Sequence, residues 1–390
     1  MITRLGDVAT YINGYAFKPS DWSNEGKPII RIQDLTDNSY QMNRFNGRIP
    51  EKYYVKKGDV LISWSASLGV YRWTGEDAVL NQHIFKVVFD KTEVDKEFFI
   101  IQAEKILKDA QTQTHGATMK HLTKPMFDSL RFYYPPLAEQ REIVMKMGAV
   151  RRSIEKRKAQ LKKLDDLVKS QFIEMFGDPF TTTEWDKKPL REVSVSIYDG
   201  SNIPKDLYCS TGSIVFYRIQ NVWRNEYHLD DLVYISSGTS RIYSDSSLNT
   251  NDILITKIGR FYTKDSSLGR VALYKGETGK AHFSNNIMRI RLKAEVKGEY
   301  INALLNLDVY QAYIKKVSVG GTDKRALSKM IIGELPIPVP PIDLQKKFVA
   351  LLEQTDKSKV LLTMKLFFHL YTAICLKAFE KSSQMMYNHR

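Results

Sequence analysis

Lys120 to Val144 reads KHLTKPMFDSLRFYYPPLAEQREIV, and Arg325 to Val349 reads RALSKMIIGELPIPVPPIDLQKKFV. At one constant offset, Leu122 matches Leu327, Lys124 matches Lys329 and Leu130 matches Leu335. Pro135-Pro136 then match Pro340-Pro341, and Gln140 and Val144 match Gln345 and Val349. Each copy predicts a short apolar strand, a Pro-Pro stop and a long helix. Proline cannot donate to a strand ladder, and its fixed φ suits the entry to a helix.

The match extends outward. LGDVATYINGY from Leu5 echoes LREVSVSIYDG from Leu190, and IIRIQDL from Ile29 echoes FYRIQNV from Phe216. KGDVLIS from Lys57 pairs with TNDILIT from Thr250, SLGVYRW from Ser67 with SLGRVAL from Ser267, and NQHIFKV from Asn81 with NNIMRI from Asn285. The offset grows along the chain while the order is kept, which predicts a domain duplication with insertions in the second half, not a short solenoid repeat.

Between the echoes, strands rich in β-branched and aromatic residues (Val60–Ser63, 84–89) alternate with turns at Asn13-Gly14, Asn46-Gly47, Gly58-Asp59 and Thr74-Gly75. Phe98 to Ala110 has helical spacing. The first globular unit therefore reads as α+β, mostly β. After it, Ile143, Met147, Val150, Ile154, Leu161, Leu164, Val168 and Met175 fall on alternating spacings of four and three, with Phe172 and Phe176 thickening the end. That seam buries one narrow face against a partner helix, and Gly177-Asp178-Pro179 stops it. About 38 residues make a rod of roughly 57 Å, which needs a mate. The helix from Ile342 to about Lys381 is the expected one, in antiparallel pairing. It is the more apolar of the two, with Leu362, Leu366, Phe367 and Ile374 among its candidate contact residues. Cations dominate the solvent side of the first rod between Arg141 and Lys163, a solvated face, a DNA-backbone track or a docking surface for acidic partners. The fold class is α+β: two repeated mostly-β α/β domains separated by two long antiparallel helices in a pseudo-twofold arrangement. The expected divisions are 1–135, 136–180, 181–340 and 341–390.

A chain of 390 residues with formal charge +14 and ordinary hydrophobic content suggests two or three domains and a polyanionic partner. Two separated cysteines, Cys209 and Cys375, form neither a disulfide framework nor a CxxC zinc site, which fits a reducing cytoplasm. Val360 to Phe379 is interrupted by Lys365, His369 and Lys377, so it reads as a buried helix and not a membrane span.

Catalytic motifs fail on inspection. Gly276-Glu277-Thr278-Gly279-Lys280-Ala281 has two residues where a phosphate loop has four between its glycines, and Ala281 where a hydroxyl is needed; it reads as a turn. Tyr134-Pro135-Pro136-Leu137 lacks the amide or carboxylate of an amino-methyltransferase motif. Asp165-Asp166 lie on a basic helix, and the histidines have no ligand spacing. What remains is a binding inventory, because Arg and Lys suit phosphates and guanine edges while Asn, Gln, Ser and Thr suit adenine edges and backbone oxygens. In the first half it comprises Lys18, Arg31, Ser63, Trp64, Ser65, Ser67, Tyr71, Arg72, Asn81, Gln82, His83, Thr114, His115, Thr118 and Lys120. In the second it comprises Lys205, Arg218, Gln220, Lys257, Arg260, Tyr262, Lys264, Asn285, Asn286, Thr322, Lys324 and Arg325. KIGRFYTK (Lys257 on) and GGTDKR (Gly320 on) read as polar loops between strands. Equivalent loops with unlike residues are what two different half-site readers require.

In combination, the duplicated strand–Pro-Pro–Gln–helix junction, the helix end LDDLVKSQFIEMFGDP (Leu164 to Pro179) and the GDVLIS…SLG and NDILIT…SLG pairs resemble the specificity subunit of a type I restriction–modification enzyme, over essentially the whole chain. The resemblance implies two target-recognition domains, each reading one part of an interrupted double-stranded DNA sequence. It also implies repeated helices that space the domains and hold two methyltransferase subunits, joined by restriction–translocase subunits. The chain itself would bind no cofactor and catalyse nothing; S-adenosylmethionine and ATP with Mg would sit on the partners of an adenine methyltransferase–endonuclease complex in the cytoplasm. Two other readings compete: the detached recognition part of a one-chain methyltransferase–nuclease, against which Met1 opens the first unit directly, and a coiled-coil adaptor that binds no DNA, against which stand the charge and the two divergent loop sets.

Overall fold

The computed structural model describes residues 1–36, 42–65, 68–113, 123–263 and 265–387, with only the backbone of 111–113 and 366–387. The chain divides into two compact units. One runs from Met1 to Ile154 and includes the second long helix from His369 on; the other is Glu155–Phe368.

The first unit is built on an antiparallel sheet in the order Thr10–Asn13, Ile84–Val88, Val60–Ser63, Gly69–Arg72. Its central strand is buried on both faces, and the two-residue period of a strand explains how. Val60 and Ile62 enter one core with Tyr11, Phe85, Phe98, Phe99, Phe127 and Phe132, whereas Leu61 enters another with Ile30, Val55, Trp73 and Leu80. The second core is closed by a smaller sheet in which Lys27–Ile30 and Ala78–Leu80 run parallel. The helix Lys96–Gln113 covers the first core through Phe98, Phe99, Ala103 and Leu107.

The second unit repeats this plan. Its sheet order is Ser194–Asp199, Ile287–Leu292, Ile253–Thr256, Val271–Leu273. Ile253 and Ile255 again face one core and Leu254 the other, and Val215–Tyr217 again runs parallel to Ala281–Phe283. Register corrects the sequence alignment by one residue in three places. A bulge between Ser194 and Ser196 shifts the first echo, so Asn13, opposite Phe85, corresponds to Asp199, opposite Met288. Tyr15 bridges Asn81 and Ser201 bridges Ser284, so Gln82-His83 correspond to Asn285-Asn286. Ile62 pairs with Val70 and Ile255 with Val271, so Gly69 corresponds to Arg270 and the two SLG triplets are offset.

The turn reading of Gly276 holds for a packing reason. A Cβ there would lie 2.5 Å from the Tyr274 hydroxyl oxygen, just as one at Gly75 would lie 2.5 Å from the Trp73 ring. Tyr274 donates to Glu277 O at 2.9 Å, and Trp73 Nε1 to Glu76 O at 2.7 Å. The glycine makes room for an aromatic strap, so the segment is the repeat mate of a structural turn.

The two Pro-Pro junctions share one clamp. Gln140 is fully buried; its Nε2 donates to Pro135 O at 2.8 Å and its Oε1 accepts from Asp95 N at 2.9 Å. Gln345, also fully buried, donates to Pro340 O at 2.9 Å and accepts from Lys297 N at 2.9 Å. Each glutamine thus joins the proline stop to the residue that precedes the covering helix, Lys96–Gln113 in one unit and Gly298–Asn306 in the other. The long helices follow, Leu137–Phe176 with 40 residues and Ile342–Tyr387 with 46. The first ends where Gly177 turns left-handed at φ 74°.

Within the second unit the two long helices run antiparallel. Phe348 meets Phe172 and Phe176 at ring-centroid distances of 5.3 and 5.5 Å, and eleven residues later Lys359 Nζ meets the earlier Asp165 Oδ1 at 2.6 Å. Tyr300 stacks on Phe172 at 5.3 Å and completes the aromatic knot. Each such buried side chain contributes roughly 1.5–3 kcal/mol. Among the described residues, no helix is long and apolar enough to cross a membrane.

Candidate nucleic-acid interface

One corner of each unit has the same backbone and different side chains. In the first unit Trp64 N donates to His83 O at 3.3 Å; in the second Lys257 N donates to Asn286 O at 2.9 Å. The side chains then reach the last residue of the sheet's first strand. Trp64 Nε1 donates to Asn13 Oδ1 at 3.1 Å, and Lys257 Nζ forms an ion pair with Asp199 Oδ1. The turn behind each corner is pinned alike, Gln82 N to Tyr15 O at 2.9 Å and Asn285 N to Ser201 O at 3.2 Å. An indole, an amide and an imidazole therefore stand where the other unit has an ammonium, a carboxylate and an amide.

The first corner carries unmet hydrogen-bonding capacity. His83 is left-handed at φ 72°, its ring lies 5.1 Å from Trp64, and its Nδ1 is buried without a hydrogen-bond partner, as is Asn81 Oδ1. Leaving such a buried group unpaired costs about 1–3 kcal/mol.

The second corner continues into a ribbon. The segments expected as loops are strands in part: Ile258–Arg260 pairs antiparallel with Lys324–Ala326, which pairs in turn with Val319–Gly320, while 261–263 and 321–323 stay outside the ladder. The crossing is close, since a Cβ on Gly259 would lie 2.2 Å from Leu268 N. Arg260, Tyr262, Thr322 and Lys324 are exposed on this ribbon. Arg325 lies over the Phe261 ring at 4.1 Å, with its Nη1 donating to Ser318 O at 3.4 Å.

Other candidates are held in internal pairs. Arg31 Nε meets the buried Asp34 at 3.1 Å, and Arg218 Nη2 meets Asp231 at 2.9 Å, where Gln220 Nε2 also donates at 3.2 Å. The backbone N–H groups of Arg31 and Arg218 are capped by Asp34 and Asn221 at 2.9 Å each. The repeated Arg-Ile-Gln is thus a turn-forming element. Arg72 pairs with Glu97. Ser63 and Ser65 are buried, and Tyr71 packs against the second core, where burial pushes its phenol up. Lys18 and Lys205 are exposed at two short helical turns. Ser67, Thr114, His115, Thr118, Lys120 and Lys264 lie outside the described residues.

On the helices, Phe172 belongs to the second unit's own core, so it is not a surface for another chain. Val168 packs against that core, and Ile143 packs against the core of the first unit. Met147, Val150, Ile154, Leu161, Leu164 and Leu362 are half-buried; the side chains of Leu366, Phe367 and Ile374 lie outside the description. Sequence reasoning passed over Asn13 and Asp199, although both immediately precede the repeated glycine of the first echo. It also missed a stack in the second unit, where the Arg270 guanidinium lies 3.7 Å from the Trp223 ring centroid and the His228 ring stacks on the same indole at 4.2 Å.

Fold and corner together define a class: duplicated α+β modules, each leading into a long helix, with one backbone frame presenting two unlike polar sets. The chain belongs to the family described as the type I restriction modification DNA specificity domain, whose profile matches residues 1–164 and 182–366. It is similar to the specificity subunit of the type I restriction enzyme EcoBI of Escherichia coli, with 24% identity over 90% of this chain and 78% of that one. It is also similar to the MjaVIII specificity subunit of Methanocaldococcus jannaschii, with 22% identity over 91% and 85%. A solved structure from work on complex assembly and conformational transition of the type I restriction–modification system shares the fold, with TM-score 0.52, 17% identity and cover of 98% and 95%. The chain is a specificity subunit of a type I restriction–modification system.

Proposed function

We propose that this chain reads a bipartite, interrupted DNA target, one half with each unit, and catalyses nothing itself. The observation that carries the proposal is the pair of equivalent corners. Equivalent backbone bonds join Trp64 to His83 in one unit and Lys257 to Asn286 in the other, and side-chain contacts add Asn13 and Asp199 respectively. Base edges are told apart by donor and acceptor pattern, so one frame with two side-chain sets reads two different sequences. The exposed cations Lys18, Lys205 and Lys324 would add phosphate contacts and a salt-dependent affinity. The long helices would hold two methyltransferase subunits and, through them, a restriction–translocase subunit. S-adenosylmethionine and ATP with Mg would be bound by those partners.

The test is methylome sequencing of cells carrying the chain with its partner subunits, and of the same cells without it. One interrupted motif, methylated only when the chain is present, is the expected result. A continuous motif, or methyl transfer by the purified chain alone with S-adenosylmethionine, contradicts the proposal.

A further inference from the structure

Asp323 is an exposed acid on the ribbon, beside the exposed cations Arg260 and Lys324. Arg260 Nε lies 3.6 Å from Asp323 Oδ2, and both side chains are more than half exposed. Arg260 is directly opposite Lys324 in the ladder, and Phe261 N donates to Asp323 O at 2.7 Å, so the two strands hold the pair side by side. The ribbon is itself anchored at its base by Lys257 N to Asn286 O at 2.9 Å and Leu327 N to Lys257 O at 2.8 Å, with Leu327 buried. An exposed ion pair of this kind adds almost nothing to stability. A rigid support for a pair with no stabilising value points to a recognition role.

The chemistry selects a partner. A guanidinium offers two parallel donors, and the adjoining carboxylate offers an acceptor. Across the major groove a G·C pair presents two acceptors, guanine N7 and O6, followed by the cytosine N4 donor, whereas an A·T pair presents acceptor, donor, acceptor. The order donor, donor, acceptor complements the first and clashes with the second. The major groove, about 12 Å wide, admits a two-stranded ribbon, and the sheet is two strands wide at its Arg260–Lys324 end, the third strand stopping at Gly320 opposite Arg325. We infer that the ribbon of Ile258–Arg260 and Lys324–Ala326 enters the major groove and that Arg260 with Asp323 reads one G·C pair of the half-site bound by the second unit. This rests on the bipartite reading above.

The experiment is selection of a randomised DNA duplex library by the purified full chain, followed by binding titrations on the selected duplex and its single-pair variants. The wild type selects two blocks, one containing an invariant G·C pair. Changing that pair weakens wild-type binding about 5- to 150-fold. Arg260→Lys keeps the charge and loses the fork, so it retains non-specific affinity but loses most of that discrimination. Asp323→Asn removes a negative charge, so it binds all duplexes more tightly, with a steeper salt dependence and weaker preference for G·C. Both variants leave the other block unchanged, and a melting curve matching the wild type verifies folding. Two blocks that neither variant alters overturn the ribbon assignment alone. Selection of no two-block target overturns the bipartite reading and this inference with it.

Discussion

His282 is enclosed in the second unit between two hydroxyls, Ser246 Oγ at 3.0 Å from Nδ1 and Ser240 Oγ at 2.8 Å from Nε2. It is fully buried, and the Ser246 hydroxyl donates to Tyr243 O at 2.9 Å. The arrangement ties the segment Ser237–Ser246 to the strand Ala281–Phe283 and suits a neutral ring. Burial lowers the ring's pKa below its ordinary 6.5, against a smaller opposing effect of the Tyr243 backbone bond. The unfolded chain therefore binds a proton that the folded chain refuses. Stability from this residue is complete above the unfolded value of 6.5 and falls as pH drops through it, by at most about 1.4 kcal/mol per pH unit. We expect thermal melts of His282→Gln to lose less on acidification through that range than those of the wild type. An identical pH dependence would show that the ring is not the titrating group. The same scale governs the corners: Asn13 and Asp199 differ by one functional group, yet one accepts from an indole and the other pairs with an ammonium.

At the scale of elements, the buried glutamines explain why the Pro-Pro junction survives duplication where so much else differs. Proline leaves a carbonyl with no ladder partner, and the glutamine amide supplies one while also satisfying the N–H of the residue just before the covering helix. Gln345→Leu keeps the volume and orphans both groups, so it should destabilise the second unit by about 2 kcal/mol. Urea unfolding measures this, and a loss too small to resolve would mean that water replaces the amide. The junction, the long helices and the double-faced strands were legible in the sequence because each has a local signature: a proline stop, a seven-residue seam, or an uninterrupted apolar strand at Val60–Ile62 and Ile253–Ile255. The candidate site was legible only as a set of segments. Periodicity says nothing about which side chain meets which, so Arg31 and Arg218 read as free cations when they are tied to Asp34 and Asp231. The ribbon read as loops because Gly259 and the run Gly320-Gly321 carry turn chemistry, whereas here Gly259 permits a close backbone crossing.

For the whole molecule, the proposed reading gives the long helices a metric role. Inserting four residues beside Asp165 keeps the seam roughly in phase and adds ~6 Å of helix. DNA rises 3.4 Å per base pair along one strand, so the gap between half-sites should grow by about one or two base pairs with both half-sites unaltered. A two-residue insertion turns the seam by roughly 200° and should destabilise the protein instead. Altered half-site letters with an unchanged gap, read by methylome sequencing, would mean that the helices do not set the spacing. The central claim, that each unit reads its own half of the target from an equivalent corner, is tested most directly by selecting randomised duplexes with Trp64→Ala and Lys257→Ala. The account predicts that each substitution changes the letters of one block, a different block in each case. Loss of both blocks together in either variant would contradict it.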